Sequence, residues 1–451
     1  MTPILSRRHW LALAAAALAG ACANAPAPQD AQRPPIVFVH GNGDSAALWT
    51  PTLWRYESQG WPRERLHAVD FPNPLARDDD GVAQPGRSSA AESAQVLAAE
   101  VDAVLARTGA RQVVLVGNSR GGLAIRNYIR NFGGAAKVSH AVLGGTPNHG
   151  VWSNPGFRPN NEFNGAGPFL TALNAPQGPN GDEVTPGPAW MTLRSDGNDK
   201  FAQPDGVWIG ARGTPTNVTA EGPALKGAKN VVLPGRDHRE VSYHPEAFAQ
   251  TVAFITGRAP QGTAITPEAA PVLDGKIAVN NLPVAGASIE VFVVDPATGA
   301  RRGPAVHRKT VGADGRWGPF TTRPTAHHEF VVSAPGAATA HVYRSPFPRS
   351  SSTVHFRPER LADADKDAAS VVTLTRPRGY FGLPRDRIVF DGNPPPGIPP
   401  GVAGLAASKL KLRDSGRSVV AEFSTAGISE RLAGIAWPAA ENRVVVLELQ
   451  D

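Results

Sequence analysis

The sequence predicts an α/β domain with a mostly parallel sheet, followed by a C-terminal all-β region. Two textures and the break between them carry that reading. From residue 36 to 258 short β-branched runs alternate with helix-patterned segments, which implies parallel strands joined by covering helices. After Gly257 a Pro/Gly/Thr linker spans 259–270, and from Val272 helical periodicity nearly disappears in favour of short strands at sandwich spacing. The chain has 451 residues, enough for two or three domains, and its 47 glycines and 43 prolines suit loops and β structure more than helical bundles. A formal charge of +6 with no dense Lys/Arg block argues against a nucleic-acid partner.

Taken in order, residues 1–25 read as a targeting segment. Ser6-Arg7-Arg8-His9-Trp10-Leu11 resembles a twin-arginine export signal, and the apolar run from Leu11 to Ala21 is too short to span a bilayer. Leu18-Ala19-Gly20-Ala21-Cys22 resembles a lipobox, with Ala19 where leucine is usual, so lipidation of Cys22 and ordinary Ala-x-Ala cleavage both stay open. As Cys22 is the sole cysteine, no intrachain disulfide can form. Residues 26–35 read as a flexible leader. The expected location is therefore outside the cytoplasm: periplasm, outer-membrane lipoprotein or secreted.

The 36–258 domain begins with the buried-strand candidate Ile36–Val39. Ser45 is placed to cap a helix running towards Ser58, and Leu66–Phe71 reads as a second strand. Ser89-x-x-Glu92 is a capping box, Leu97, Val101, Val104 and Leu105 share one helix face, and Gly109 ends it. Val113–Val116 is a strand, a helix with Ile125, Ile129 and Phe132 on one side ends at Gly133-Gly134, and Val138–Leu143 is a further strand. Between Asn148 and Pro188 the period is lost among Asn, Gly and Pro, yet Phe157, Phe163, Phe169, Leu170 and Leu173 remain, which predicts a cap over a site. Trp190–Ser195 and Val231–Leu233 are the last strands and Pro245–Thr256 the closing helix. In residues 271–451 the strands expected are Ile289–Val294, Glu329–Val332, Thr353–Phe356, Ser370–Leu374, Ser418–Phe423 and Val444–Leu449, with Gly392–Pro400 an exposed loop. The start of this region resembles a carboxypeptidase-regulatory-like module; whether one or two modules follow stays open.

The chemistry centres on Gly117-Asn118-Ser119-Arg120-Gly121, a G-x-S-x-G pattern between a strand and a helix. That turn lifts a serine hydroxyl above the sheet edge, and the close backbone approaches on either side require glycine. His40-Gly41-Asn42-Gly43 follows the first strand, where the N–H of Asn42, with that of Arg120, is placed to form an oxyanion hole. A base is expected on the loop after the last strand, which makes His238 the candidate over His40, His149 and His244. The orienting acid belongs after a strand between Ser119 and His238. Asp199 fits best, since Phe201 can anchor its loop, with Asp196 the alternative acid and Asp237 read as a solvated charge. The histidines lack metal-ligand spacing, so no metal and no cofactor is expected, although Ca²⁺ stays open.

These motifs, with Gly144-Gly145-Thr146-Pro147-Asn148-His149-Gly150 and the Ser195–Phe201 loop, resemble bacterial α/β-hydrolase lipases that carry a C-terminal β domain, a layout known from an archaeal long-chain lipase. The likeness is good over about 34–258 and only architectural beyond. It implies a triad of Ser119, Asp199 and His238, oxyanion donors Asn42 and Arg120, and a lipid or other hydrophobic ester as partner. Asn118 and Arg120 depart from the pattern, where many relatives carry histidine and a small or aromatic residue. The expectation is an exported serine ester hydrolase acting on acylglycerols. The alternatives are a polyester depolymerase and an inactive surface-binding protein on the same fold. If the β region docks lipid, loss of residues beyond about 262 is expected to spare small soluble esters and impair emulsified ones, whereas equal loss on both would make it only structural.

Overall fold

A computed structural model of the chain describes residues 33–450. The signal segment, Cys22 and most of the 26–35 leader lie outside the described residues. None of the described helices is long and apolar enough to cross a membrane.

Six strands form one wholly parallel sheet: β1 (Ile36–Val39), β2 (Leu66–Ala68), β3 (Val113–Asn118), β4 (Val138–Gly144), β5 (Ala189–Arg194) and β6 (Lys229–Val232), in the order β2-β1-β3-β4-β5-β6. Its central strands are apolar on both faces because helices cover both. On one face Val37, Val39, Val113 and Leu115 pack with Leu97 and Val101 of α2 (Ala90–Thr108) and Ile125 and Ile129 of α3 (Arg120–Asn131). On the other, Ile36, Phe38, Val114 and Val116 meet Tyr56 of α1 (Thr50–Ser58) and Phe248 and Val252 of α6 (Pro245–Thr256). The capping box of α2 is complete, with the Ser89 hydroxyl accepting from the Glu92 N–H and the Glu92 carboxylate accepting from the Ser89 N–H, and Gly109 closes the helix at φ +66°.

Two expectations change for a shared reason. The second strand stops at Ala68 rather than Phe71, and Ser45 makes no side-chain cap. Asp70 accounts for both: its carboxylate accepts the Ala46 N–H at 2.8 Å, capping the Ala46–Trp49 turn that precedes α1, and the chain then turns away at Asn73, φ +51°.

The segment after β4 folds over the C-terminal edge of the sheet as an irregular cap. Its one helix, α4 (Pro168–Leu173), seats Leu170 and Leu173 on Leu123 of α3, with Phe163 and Phe169 alongside. Asn164, fully buried, knits the rest together through its amide to Asn154 and its carbonyl to the Asn154 and Ala166 N–H groups.

The β region contains β7 (Ser288–Val293), β8 (His307–Thr310), β9 (His328–Ser333), β10 (Thr339–Arg344), β11 (Ser370–Thr375), β12 (Arg387–Phe390), β13 (Ala407–Leu412), β14 (Ser418–Thr425), β15 (Ile428–Ile435) and β16 (Arg443–Glu448). A seven-stranded sheet in the order β8-β7-β9-β10-β16-β11-β13 runs through both halves, and β12-β14-β15 form a smaller sheet. There are thus two cores, one around Trp317 and Phe330 and one around Phe381 and Phe423, joined by the parallel pair β10–β16. Thr353–Phe356 is not a continuous strand: Phe356 bridges Ile277 and the Val354 N–H donates to the Asp274 carbonyl, but the Val354 carbonyl accepts the Trp317 indole N–H at 2.7 Å instead of a ladder amide. Gly392–Pro400 is exposed apart from Pro395 and Ile398.

Candidate active site

Ser119 sits between β3 and α3 at φ +52°, ψ −122°, a conformation that costs a residue with a β-carbon on the order of 1–3 kcal/mol. The surroundings enforce it. A Cβ on Gly121 would lie 2.4 Å from the Val39 carbonyl oxygen, and one on Gly117 2.8 Å from the Gly122 nitrogen, so neither position accepts a side chain. The His40–Asn42 turn presses on the same elbow, since a Cβ on Gly41 would come within 3.2 Å of the Ser119 Cβ. Asn42 is fixed there by its side-chain oxygen, which accepts the Ala76 N–H at 2.7 Å. Arg120 is the first residue of α3, so its N–H belongs to the unpaired amides at the positive end of that helix.

The loop after β6 carries His238, whose side chain is 4% exposed. Its Nδ1 lies 2.8 Å from Asp199 Oδ2, a pairing that turns the other ring nitrogen, Nε2, away from the acid. That Nε2 is buried and has no hydrogen-bond partner among the described residues. Asp199 is held in turn by the Phe201 N–H on its other oxygen, and the Phe201 ring stands edge-on to the imidazole at 4.6 Å. Asp196 serves differently: its carboxylate accepts the Asn198 and Gly235 N–H groups and so pins the acid loop to the histidine loop. Ser119, Asn42 and His238 line one cavity of about 220 Å³, together with Val151, Trp152 and Phe163 of the cap. A second, larger cavity of about 390 Å³ lies behind the imidazole, reaching Asp199, Ser195 and His149 but not Ser119.

The three competing histidines are engaged elsewhere. His40 donates from Nδ1 to the Gly41 carbonyl and accepts the Phe71 N–H on Nε2, and burial holds it below its ordinary pKa, hence neutral. His244 caps α6 by accepting the Glu246 N–H, and His149 pairs with Glu183.

Asp237 is a correction. It is wholly buried rather than solvated, and it pairs reciprocally with Glu240 across the turn that leads into α5 (Glu240–Tyr243): Asp237 N–H donates to Glu240 Oε2 at 2.9 Å, and Glu240 N–H donates to Asp237 Oδ1 at 3.0 Å. Burial and the adjacent Glu240 push Asp237 upward; Glu240, despite its burial, is drawn below its usual value by Arg376 and Arg385. The Asp237-His238-Arg239-Glu240 spacing is a legible D-x-x-E signature that local reading of the histidine passed over.

Asn118 and Arg120, the two departures, also acquire roles. The Asn118 amide donates to Ser242 Oγ at 2.8 Å and to the His238 carbonyl at 3.3 Å, tying the elbow to the histidine loop. The buried Arg120 guanidinium forms a two-point pair with Glu162 of the cap, at 2.5 and 3.0 Å, and reaches the Pro74 and Ser88 carbonyls. Ile209 and Tyr380 line the cavity without any local motif; each arrives by tertiary folding alone.

A parallel six-stranded sheet with a strained serine at the end of a central strand defines the α/β-hydrolase class. In agreement, residues 36–251 match the alpha/beta hydrolase family and residues 269–361 match the lipase C-terminal domain, so the chain is built as an α/β-hydrolase domain followed by a C-terminal β-rich region. Among solved structures it is similar to the mature Bacillus licheniformis lipase BlEst2, at 22% identity over 51% of this chain and 94% of that one, TM-score 0.36. The propeptide form of BlEst2 aligns over 91% of this chain and 94% of its own at 18% identity, TM-score 0.35. Carboxylesterase CesB of Bacillus subtilis aligns at 16% identity over 51% of this chain and 86% of its own, TM-score 0.29.

Proposed function

We propose that the protein is an exported serine ester hydrolase that cleaves acylglycerols through an acyl-enzyme on Ser119. One observation carries this reading: Ser119, on its strained elbow, shares a cavity with an imidazole whose far nitrogen is held by Asp199 and whose near nitrogen is unengaged. In that arrangement His238 Nε2 takes the serine proton as Oγ attacks the ester carbonyl, and the imidazolium is stabilised by Asp199. The tetrahedral oxyanion is received by the N–H groups of Asn42 and Arg120, each such donor contributing roughly 3 kcal/mol. His238 then returns the proton to the departing alcohol, and water repeats the sequence to release the acid.

A lipid substrate is supported by exposed apolar side chains on segments next to the cavity lining. Leu75 and Val82 are exposed on the segment that supplies Ala76 and Asp78 to the lining. Val279 and Leu282 are exposed on the hairpin whose Asn280 carbonyl accepts the Asn73 N–H. Four large apolar side chains exposed on these two hydrogen-bonded segments suit an aggregated apolar substrate better than a dissolved one. Export is supported by the Arg7-Arg8 signal pattern.

Labelling with a fluorophosphonate probe and mapping the modified residue tests the reading. The expected result is a single adduct on Ser119, with triacylglycerol emulsions hydrolysed by the native chain and not by Ser119→Ala. A folded protein that the probe leaves unmodified, or Ser119→Ala with full activity, overturns it.

A further inference from the structure

The His238 loop is gripped from the β region, by residues that a lipid-docking appendage has no reason to supply. The loop joining β11 to β12 buries Arg376 against the reciprocal Asp237–Glu240 pair: its guanidinium lies 2.6 Å from Glu240 Oε1 and 3.4 Å from Asp237 Oδ2. Arg385, from the same loop, reaches Glu240 Oε2 at 2.9 Å and the Gly235 carbonyl at 3.3 Å, and the Tyr380 N–H donates to Asp237 Oδ2 at 2.7 Å. The acid loop is held likewise. Lys200, beside Asp199, donates to the Gly404 carbonyl at 2.8 Å and lies 3.8 Å over the Tyr380 ring, while the Ala403 N–H donates to Asn198.

We propose that Arg376 and Arg385 are positioning residues: from the β region they neutralise the carboxylates that bracket His238 and so hold its imidazole against Asp199 and over the cavity. This rests on the serine-hydrolase reading above and deepens it. The physical argument is one of charge and rigidity. Two carboxylates within one turn, both buried, repel each other and pull the loop towards water unless cations lie against them. Both cations come from beyond residue 370. The β region is therefore a part of the hydrolytic centre, and small soluble esters depend on it as much as emulsified ones do. On this reading, loss of residues beyond about 262 impairs small soluble esters and emulsified ones alike.

The experiment uses the full chain with p-nitrophenyl acetate, a substrate too small to need lipid docking, and three variants: Arg376→Met, Arg376→Lys and the more exposed Arg385→Gln, which retains Arg376 if the first fails to fold. Arg376→Met and Arg385→Gln are expected to lose about 10²-fold in kcat with KM within about twofold, the effect of a misplaced catalytic group. Fluorophosphonate labelling of Ser119 should slow in parallel, and Arg376→Lys should recover most of both. The far-downfield proton resonance of the His238–Asp199 bond is expected to weaken in the same variants. That signal separates the two proposals, because it reports the imidazole's placement even if native Ser119 never reacts with the probe. Folded Arg385→Gln or Arg376→Met with native kcat, labelling rate and proton resonance overturns the inference, as does a loss of thermal stability alone.

Discussion

Ser119 bears strain that glycine would not. At φ +52° its β-carbon is crowded by the preceding backbone, and the cost is retained only because the hydroxyl must stand clear of the sheet. Ser119→Gly and Ser119→Ala are both expected to be inactive, but the glycine variant should unfold about 1 kcal/mol harder than the alanine one, the strain relieved exceeding the entropy glycine adds to the unfolded chain. Urea unfolding of the two checks this, and an alanine variant as stable as the glycine one would show the elbow to be relaxed. The two candidate acids should separate as sharply: Asp199→Asn is expected to lose about 10⁴-fold in kcat, Asp196→Asn far less, since only Asp199 bonds the imidazole. These residues were legible because each lies in a short motif whose spacing carries its meaning. Asp237 was not, because what buries it is Arg376, 139 residues away.

The elements of the hydrolase half were legible for the same local reason, period and cap, and the cap over the site was legible only as a lost period with stranded aromatics. What fastens it could not be read. Arg120 and Glu162 are 3% and 2% exposed, and no pattern in the sequence pairs them across 42 positions. Burial raises the Glu162 pKa while Arg120 opposes the rise, so the carboxylate depends on that one partner. Arg120→Ala is expected to destabilise by about 3–5 kcal/mol, the cost of leaving a buried charge uncompensated, although the backbone N–H that faces the cavity stays in place. Replacing Glu162 with leucine in the same chain should restore most of that loss. A double-mutant cycle in urea measures the coupling, and additive effects would show that the pair does not anchor the cap. In the β region β10 went unread because its buried sequence does not alternate, and Thr353–Phe356 was read as a strand because its alternation does not reveal that an indole claims its carbonyl.

Across the whole molecule the two halves are joined by side chains that neither half could satisfy alone. Asn281 of the β region donates to the Asp44 and Phe71 carbonyls, Arg378 donates to the Ala47 and Leu48 carbonyls, and Trp54 of α1 packs into the Trp317 core. Asp70 is the charged member of this junction, accepting the Ala46 N–H and the His355 ring N–H at 3.0 Å. Burial alone would raise its pKa, but the His355 hydrogen bond and charge outweigh that and hold it far below the ordinary carboxylate value of 3.8. A carboxylate whose folded pKa is depressed contributes stability that is fully present above its unfolded value and is lost as the pH falls below it. Asp70→Asn is therefore expected to cost about 2 kcal/mol at pH 7, the scale of hydrogen bonds to a charged group. The difference from the native chain should hold down to about pH 5 and shrink below about pH 4 as the unfolded chain takes up its proton first. Urea unfolding of both chains at pH 7, 5, 4 and 3 follows the gap. A gap that stays constant to pH 3, or that widens as acid is added, would falsify the assignment of the junction's charge to Asp70 and leave its hydrogen bonds no stronger than those of a neutral amide.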